Sequence, residues 1–155
     1  MIGKLKISYY QRIVLKLTEE KLYPISASKS LCVRCEKCMY SCPSKAIFFK
    51  DATRYVNYEK CKGCLRCVEA CEHGAIEVIS IKEGKLKGFY IDQNRCILCL
   101  NCLEPNFCFQ DLFKLKDTQR DQKHIEFNNE LLENCYKCLK CFKNCPSNAI
   151  LPQIE

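Results

Sequence analysis

The 155-residue sequence predicts an α+β protein made of two tandem units of short antiparallel strands and short helices. Three observations predict this. Sixteen cysteines fall into four runs of four, Cys32-Cys35-Cys38-Cys42, Cys61-Cys64-Cys67-Cys71, Cys96-Cys99-Cys102-Cys108 and Cys135-Cys138-Cys141-Cys145, and none is left over. Four and five residues after the last cysteine of each run comes an apolar pair: Ala46-Ile47, Ala75-Ile76, Leu112-Phe113 and Ala149-Ile150. The stretches before runs two and three, Tyr55 to Lys60 and Phe89 to Arg95, alternate apolar and polar residues as half-buried strands do. A pattern that recurs at a fixed interval marks one supersecondary unit used several times.

Taken in order, the chain divides into an N-terminal extension (1–30), a first unit (31–80) and a second unit (81–155). Within the extension, Tyr10, Ile13, Val14 and Leu17 fit an amphipathic helix ended by Pro24. Alternating Leu5 and Ile7 admit a strand instead. The extension reads either as an arm packed on the core or as a docking arm for a larger subunit. Each repeat is then expected to run strand, cysteine loop, helical turn, strand. The helical turns fall at Met39-Tyr40-Ser41, Val68-Glu69-Ala70 and Phe142-Lys143-Asn144. Pro43 and Pro146, directly after the fourth cysteine of runs one and four, stop the helix there. Lys50-Asp51-Ala52 and Glu83-Gly84-Lys85 read as hairpin turns. Residues 114–134 are polar and charged and read as a surface loop.

Runs one, two and four share the spacing C-x₂-C-x₂-C-x₃-C. Neighbouring cysteines at that spacing sit on tight loops suited to gripping a metal. Disulfides are the poorer reading, because their spacings are usually irregular and residues 1–6 contain no apolar signal region. Structural zinc would use C-x₂-C pairs and leave the third and fourth cysteine of each run without purpose. The spacing is that by which thiolates hold [4Fe–4S] clusters, and oxygen-sensitive clusters point to a reducing cytoplasm in an anaerobe. The formal charge of +7 counts cysteine as neutral. A [4Fe–4S]²⁺ core with four thiolates carries about −2, so four clusters bring the total to about −1. The lysines and arginines therefore read as counter-charge, spread with no block of five, and no nucleic-acid footprint is expected. No apolar stretch approaches the length of a membrane span.

Residues 30–152 resemble two-cluster bacterial ferredoxins present twice in tandem, as in polyferredoxins. In that family the fourth cysteine of a run ligates the other cluster of its pair. The resemblance therefore implies four clusters, held by Cys32, Cys35, Cys38 and Cys71; by Cys61, Cys64, Cys67 and Cys42; by Cys96, Cys99, Cys102 and Cys145; and by Cys135, Cys138, Cys141 and Cys108. A nested alternative, resembling four-cluster subunits of molybdopterin oxidoreductases, would pair run one with run four and run two with run three. Run three departs from the pattern, with five residues between Cys102 and Cys108 and Phe109 in place of proline. That departure reads as a longer loop with the same ligation, or as a reshaped docking surface. His73 and His124 are not needed as ligands. Tyr40, Phe48, Tyr55, Phe89 and Phe142 read chiefly as core.

There is no Gly-rich phosphate loop and no nucleophile–base constellation, which points away from intrinsic catalysis. The expectation is a non-catalytic electron-transfer subunit with a larger catalytic oxidoreductase subunit as its partner. A tungsten- or molybdenum-pterin aldehyde oxidoreductase comes first, followed by 2-oxoacid oxidoreductases, hydrogenases and formate dehydrogenases. Stacking with other ferredoxin-like chains or with copies of itself is a further expectation. A free polyferredoxin shuttle and a regulatory or nucleic-acid-binding iron–sulfur protein stand as alternatives.

Overall fold

A computed structural model describes residues 8–118 and 122–155, and the Leu5–Ile7 alternation lies outside the described residues. The chain separates into two compact units, 1–84 and 85–155. In the first, helix α1 (Tyr9–Leu17) opens on a capping box, with the Ser8 hydroxyl accepting from the Gln11 amide and the Gln11 side chain accepting from the Ser8 amide. Strand β1 (Glu20–Ala27), α2 (Lys37–Tyr40), β2 (Ile47–Lys50), β3 (Thr53–Val56), α3 (Arg66–Ala70) and β4 (Ile76–Lys82) follow. Strand β1 pairs antiparallel with β4, and β2 with β3. Glu20–Ala27, which the sequence assigns to the extension, is thus built into the first unit. Its alternation is interrupted at Pro24, where the ladder shifts register between Tyr23 and Ser26.

The second unit repeats the plan. It contains β5 (Leu86–Ile91), a 3₁₀ turn (Asn101–Leu103), β6 (Phe113–Asp117), β7 (Lys123–Phe127), a second 3₁₀ stretch (Asn129–Asn134), α4 (Lys140–Asn144) and β8 (Ile150–Ile154). Here β5 pairs with β8 and β6 with β7. The expected loop over 114–134 is therefore a hairpin. Its exposed rungs are charged, but Phe113, Ile125 and Phe127 turn inward and are buried. Glu83-Gly84-Lys85 is the joint between units and not a hairpin turn, since β4 and β5 pair with other strands. Asp51-Ala52 is a hairpin turn, with both residues left-handed (φ 46° and 58°), as a two-residue turn between right-twisted strands requires.

All four apolar pairs stand at strand starts. Ile47, Ile76, Phe113 and Ile150 are first residues of strands, and Ala46, Ala75, Leu112 and Ala149 just before them are buried. The two cores differ in chemistry. In the first unit, Tyr23 and Tyr58 meet edge to face at 5.6 Å, and their hydroxyls donate to the carbonyls of Val56 and Lys82. In the second, the Phe127 ring packs against Phe89 at 4.8 Å and Phe113 at 5.3 Å. Each such ring pair contributes about 1 kcal/mol beyond its buried area. Tyr55 and Phe89 are core as expected, whereas Tyr40 is 79% exposed because it ends the one-turn helix α2 on its outer side. Among the described residues no helix is long and apolar enough to cross a membrane.

Candidate metal centres

The same two left-handed residues turn every cysteine run. One precedes the second cysteine: Arg34 (φ 57°), Gly63 (66°), Leu98 (50°) and Lys137 (51°). The other follows it: Glu36 (61°), Leu65 (59°), Leu100 (62°) and Leu139 (54°). Left-handed residues set among right-handed ones make the backbone concave and line the hollow with N–H groups, which favours anionic sulfur inside. Only Gly63 is a glycine, and a Cβ there would lie 2.8 Å from the Leu22 carbonyl oxygen of β1. The third cysteines Cys38, Cys67 and Cys141 are buried as second residues of α2, α3 and α4.

The fourth cysteines also share one geometry. Three residues on, Lys45, Gly74, Asp111 and Asn148 are left-handed. Their amides donate to the carbonyls of Cys42, Cys71, Cys108 and Cys145 at 3.2, 3.3, 3.0 and 3.1 Å. The amides of Ala46, Ala75 and Ala149 then reach Cys42, Cys71 and Cys145 Sγ at 3.3–3.4 Å. Cys108 keeps the same turn despite its longer approach.

Backbone hydrogen bonds tie the runs crosswise within each unit. Ser28 and Asn57, each four residues before a run, donate to Ala75 and Ala46, each just past the other run, both at 2.7 Å. In the second unit Asp92 and Asn128 donate to Ala149 and Leu112 at 2.8 Å. The tie sets each fourth cysteine against the other run's first three. Cys32, Cys35, Cys38 and Cys71 line one cavity. Cys61, Cys64, Cys67 and Cys42 line another. Cys96, Cys99, Cys102 and Cys145 line a third. The charge of Cys108 reaches Cys135, Cys138 and Cys141. The quartets combine run one with run two and run three with run four.

Burial pushes the thiols up, Cys67 to about 12 and Cys102 and Cys135 to about 11. It also raises Cys38, Cys61, Cys138 and Cys141, with neighbouring thiolates adding to the shift. Burial acts the same way on Cys42 and Cys145, but hydrogen bonds outweigh it. Donors from Ser44 and Ala46, and from Ser147 and Ala149, leave those two thiols low. Thiolates crowded and buried in this way are stable only around a positive core.

A four-iron cluster suits this donor set better than one metal ion. Zinc needs its sulfurs about 2.3 Å from a single point. Among the described residues no three Cys, His, Asp or Glu side chains converge to hold one ion. The quartets instead surround hollows. His73 stands exposed at the rim of the first cavity, and His124 pairs with Glu126 at 3.0 Å.

The sequence reads the lysines and arginines, Arg54 among them, as counter-charge, but it does not show that Lys21 and Arg54 are buried. Lys21 Nζ donates to the carbonyls of Tyr58 and Cys61 at 2.8 and 2.9 Å and lies 4.0 Å from the Tyr58 ring centroid. Arg54 is 4% exposed and lines the first cavity; its Nη2 donates to the Pro24 carbonyl at 2.9 Å, while Nε and Nη1 have no hydrogen-bond partner among the described residues. The signal was present, because the alternation of β3 puts Arg54 on the same face as buried Val56.

Comparison with known proteins gives two family matches, each described as a 4Fe-4S dicluster domain, over residues 24–72 and 60–105. A probable iron-sulfur subunit from the Frd operon of Proteus vulgaris is 33% identical over 52% of this chain and 57% of its own. The electron transport protein HydN of Escherichia coli K12 is 38% identical over 47% of each chain. One subunit of the Na(+)-translocating ferredoxin:NAD(+) oxidoreductase complex of Acetobacterium woodii is 27% identical over 80% of this chain and 38% of its own. The chain thus spans 38–57% of the length of these relatives.

Proposed function

This chain is a tandem ferredoxin-family protein of electron transport with four [4Fe–4S] clusters, and from that premise we propose that it is the electron-transfer subunit of a larger oxidoreductase. The first partner proposed is a tungsten- or molybdenum-pterin aldehyde oxidoreductase. The 2-oxoacid, hydrogenase and formate dehydrogenase types come after it. The observation that carries the proposal is the crosswise grouping of all sixteen cysteines, two quartets to a unit. We assign as ligand sets Cys32, Cys35, Cys38, Cys71; Cys61, Cys64, Cys67, Cys42; Cys96, Cys99, Cys102, Cys145; and Cys135, Cys138, Cys141, Cys108.

When bound, each cluster supplies one-electron exchange at iron without chemistry on a substrate. The chain's own residues do the rest. The left-handed turns hold N–H groups inward against sulfur charge, and Ser44 and Ser147 hydroxyls support Cys42 and Cys145. Within the first unit, Cys67 feels the charge of both Cys42 from its own quartet and Cys38 from the other, so the two sites lie within electrostatic reach. Crossed ligands make each site depend on both halves of its unit.

Support for a fixed partner comes from α1, which leaves Tyr10 77% and Leu17 79% exposed on one face. We assign that face to the contact with the larger subunit. The test is anaerobic affinity purification of the chain from its host. A stoichiometric large subunit carrying pterin, thiamine diphosphate or nickel is the expected result. A lone chain of 18.1 kDa would overturn it in favour of a diffusing shuttle.

A further inference from the structure

Arg54 carries a burden that its surroundings do not explain. It stands on the β3 rung opposite Phe49, almost wholly buried, yet Nε and Nη1 have no hydrogen-bond acceptor among the described residues. A guanidinium held that way is destabilising unless something negative lies beside it. The cavity it lines is walled by Cys32, Cys35, Cys38 and Cys71. Its charge acts on Cys38 and on Cys67, the third cysteines of both quartets in the unit.

The equivalent position in the second unit is apolar. Counting rungs from the first strand pair, Arg54 opposite Phe49 corresponds to Ile125 opposite Leu115. Ile125 is 1% exposed and lines the cavity of Cys96, Cys99, Cys102 and Cys145. Two sites of like construction thus differ by one buried positive charge.

We propose that Arg54 sets the reduction potential of the first site. Its free N–H groups donate to the sulfurs of the cluster that Cys32, Cys35, Cys38 and Cys71 hold, and raise that potential above the value an apolar residue would allow. A cluster gains one negative charge on reduction, so a fixed cation beside it stabilises the reduced form more than the oxidised form. Ile125 gives the corresponding site no such help. The difference biases electrons toward the first unit. This inference rests on the ligand set proposed above.

The test is an anaerobic redox titration of the loaded full chain, followed by EPR, comparing wild type with Arg54→Gln. One component is expected to move to lower potential. At fixed ambient potential its reduced-to-oxidised ratio falls about tenfold, which is about 59 mV for one electron. Arg54→Lys, which keeps the charge and loses the planar fork, recovers part of that shift. Unchanged potentials at full iron content would overturn the proposal. If Arg54→Gln does not load fully, the Arg54-containing protein carries the test. With guanidinium ¹⁵N-arginine and Arg34→Lys, pulsed EPR must show a nitrogen coupling on one reduced cluster, and its absence from every cluster is fatal. Cys71→Ser tests the ligand set separately. It must alter the component that Arg54→Gln moves; if it alters another, the ligand reading fails while the Arg54 shift stands.

Discussion

Tyr58 has no exposed surface, and its hydroxyl donates to the Lys82 carbonyl. Burial first, then the charge of Glu83, pushes its phenol from 10.0 up to about 12. The folded chain therefore keeps a proton that the unfolded chain releases. Stability from this group is complete below pH 10 and is lost as pH rises to about 12. Tyr58→Phe should cost about 1 kcal/mol at neutral pH through the lost hydrogen bond and flatten the alkaline decline. Urea midpoints of the loaded protein across pH 8–12 check both. Lys21→Met strips a donor from the buried carbonyls of Tyr58 and Cys61 and should cost about 2 kcal/mol. Earlier thermal loss of the visible cluster absorption would register it. The cysteines announced themselves by type and spacing. The burial of Lys21 and Arg54 did not show in residue type, because Lys and Arg are the residues most often found in solvent.

Ala52 occupies the second left-handed position of the β2–β3 turn, where a Cβ is strained. Ala52→Gly should stabilise the chain by about 1 kcal/mol, read as a higher denaturation midpoint. Gly63→Ala should do the reverse, since its Cβ meets the Leu22 oxygen, and incomplete loading of the Cys61–Cys64–Cys67 loop would report it. On α1, Tyr10→Asp together with Leu17→Asp should abolish recovery of the large subunit and leave iron content unchanged. If the partner still co-purifies, that face is not the contact. Strand starts and helical turns were legible because apolar pairs and cysteine spacing recur. The β6–β7 hairpin was not, because Lys114, Lys116 and Asp117 face out and only Ile125 and Phe127 betray the alternation. The paired left-handed residues of the loops were illegible too. Arg34, Leu98 and Lys137 stand where Gly63 does, so residue type gave no sign of the conformation.

Each unit is organised by exchange: the amide before one run binds the carbonyl after the other, and the fourth cysteine crosses with it. That exchange was implied by resemblance and is not written in spacing, since a spacing says how far a cysteine reaches and not toward what. The pairing of β1 was not legible either, because its partner β4 lies far along the chain. If every quartet holds a four-iron cluster, anaerobically loaded full-length protein contains about sixteen iron and sixteen sulfide per chain. Reductive titration of that sample, with simultaneous iron and sulfide analysis, probes the four-cluster electron path at its root. Uptake of about four electrons per chain, one for each cluster, is the expected result. About eight iron and two electrons, or zinc in place of iron, would contradict it.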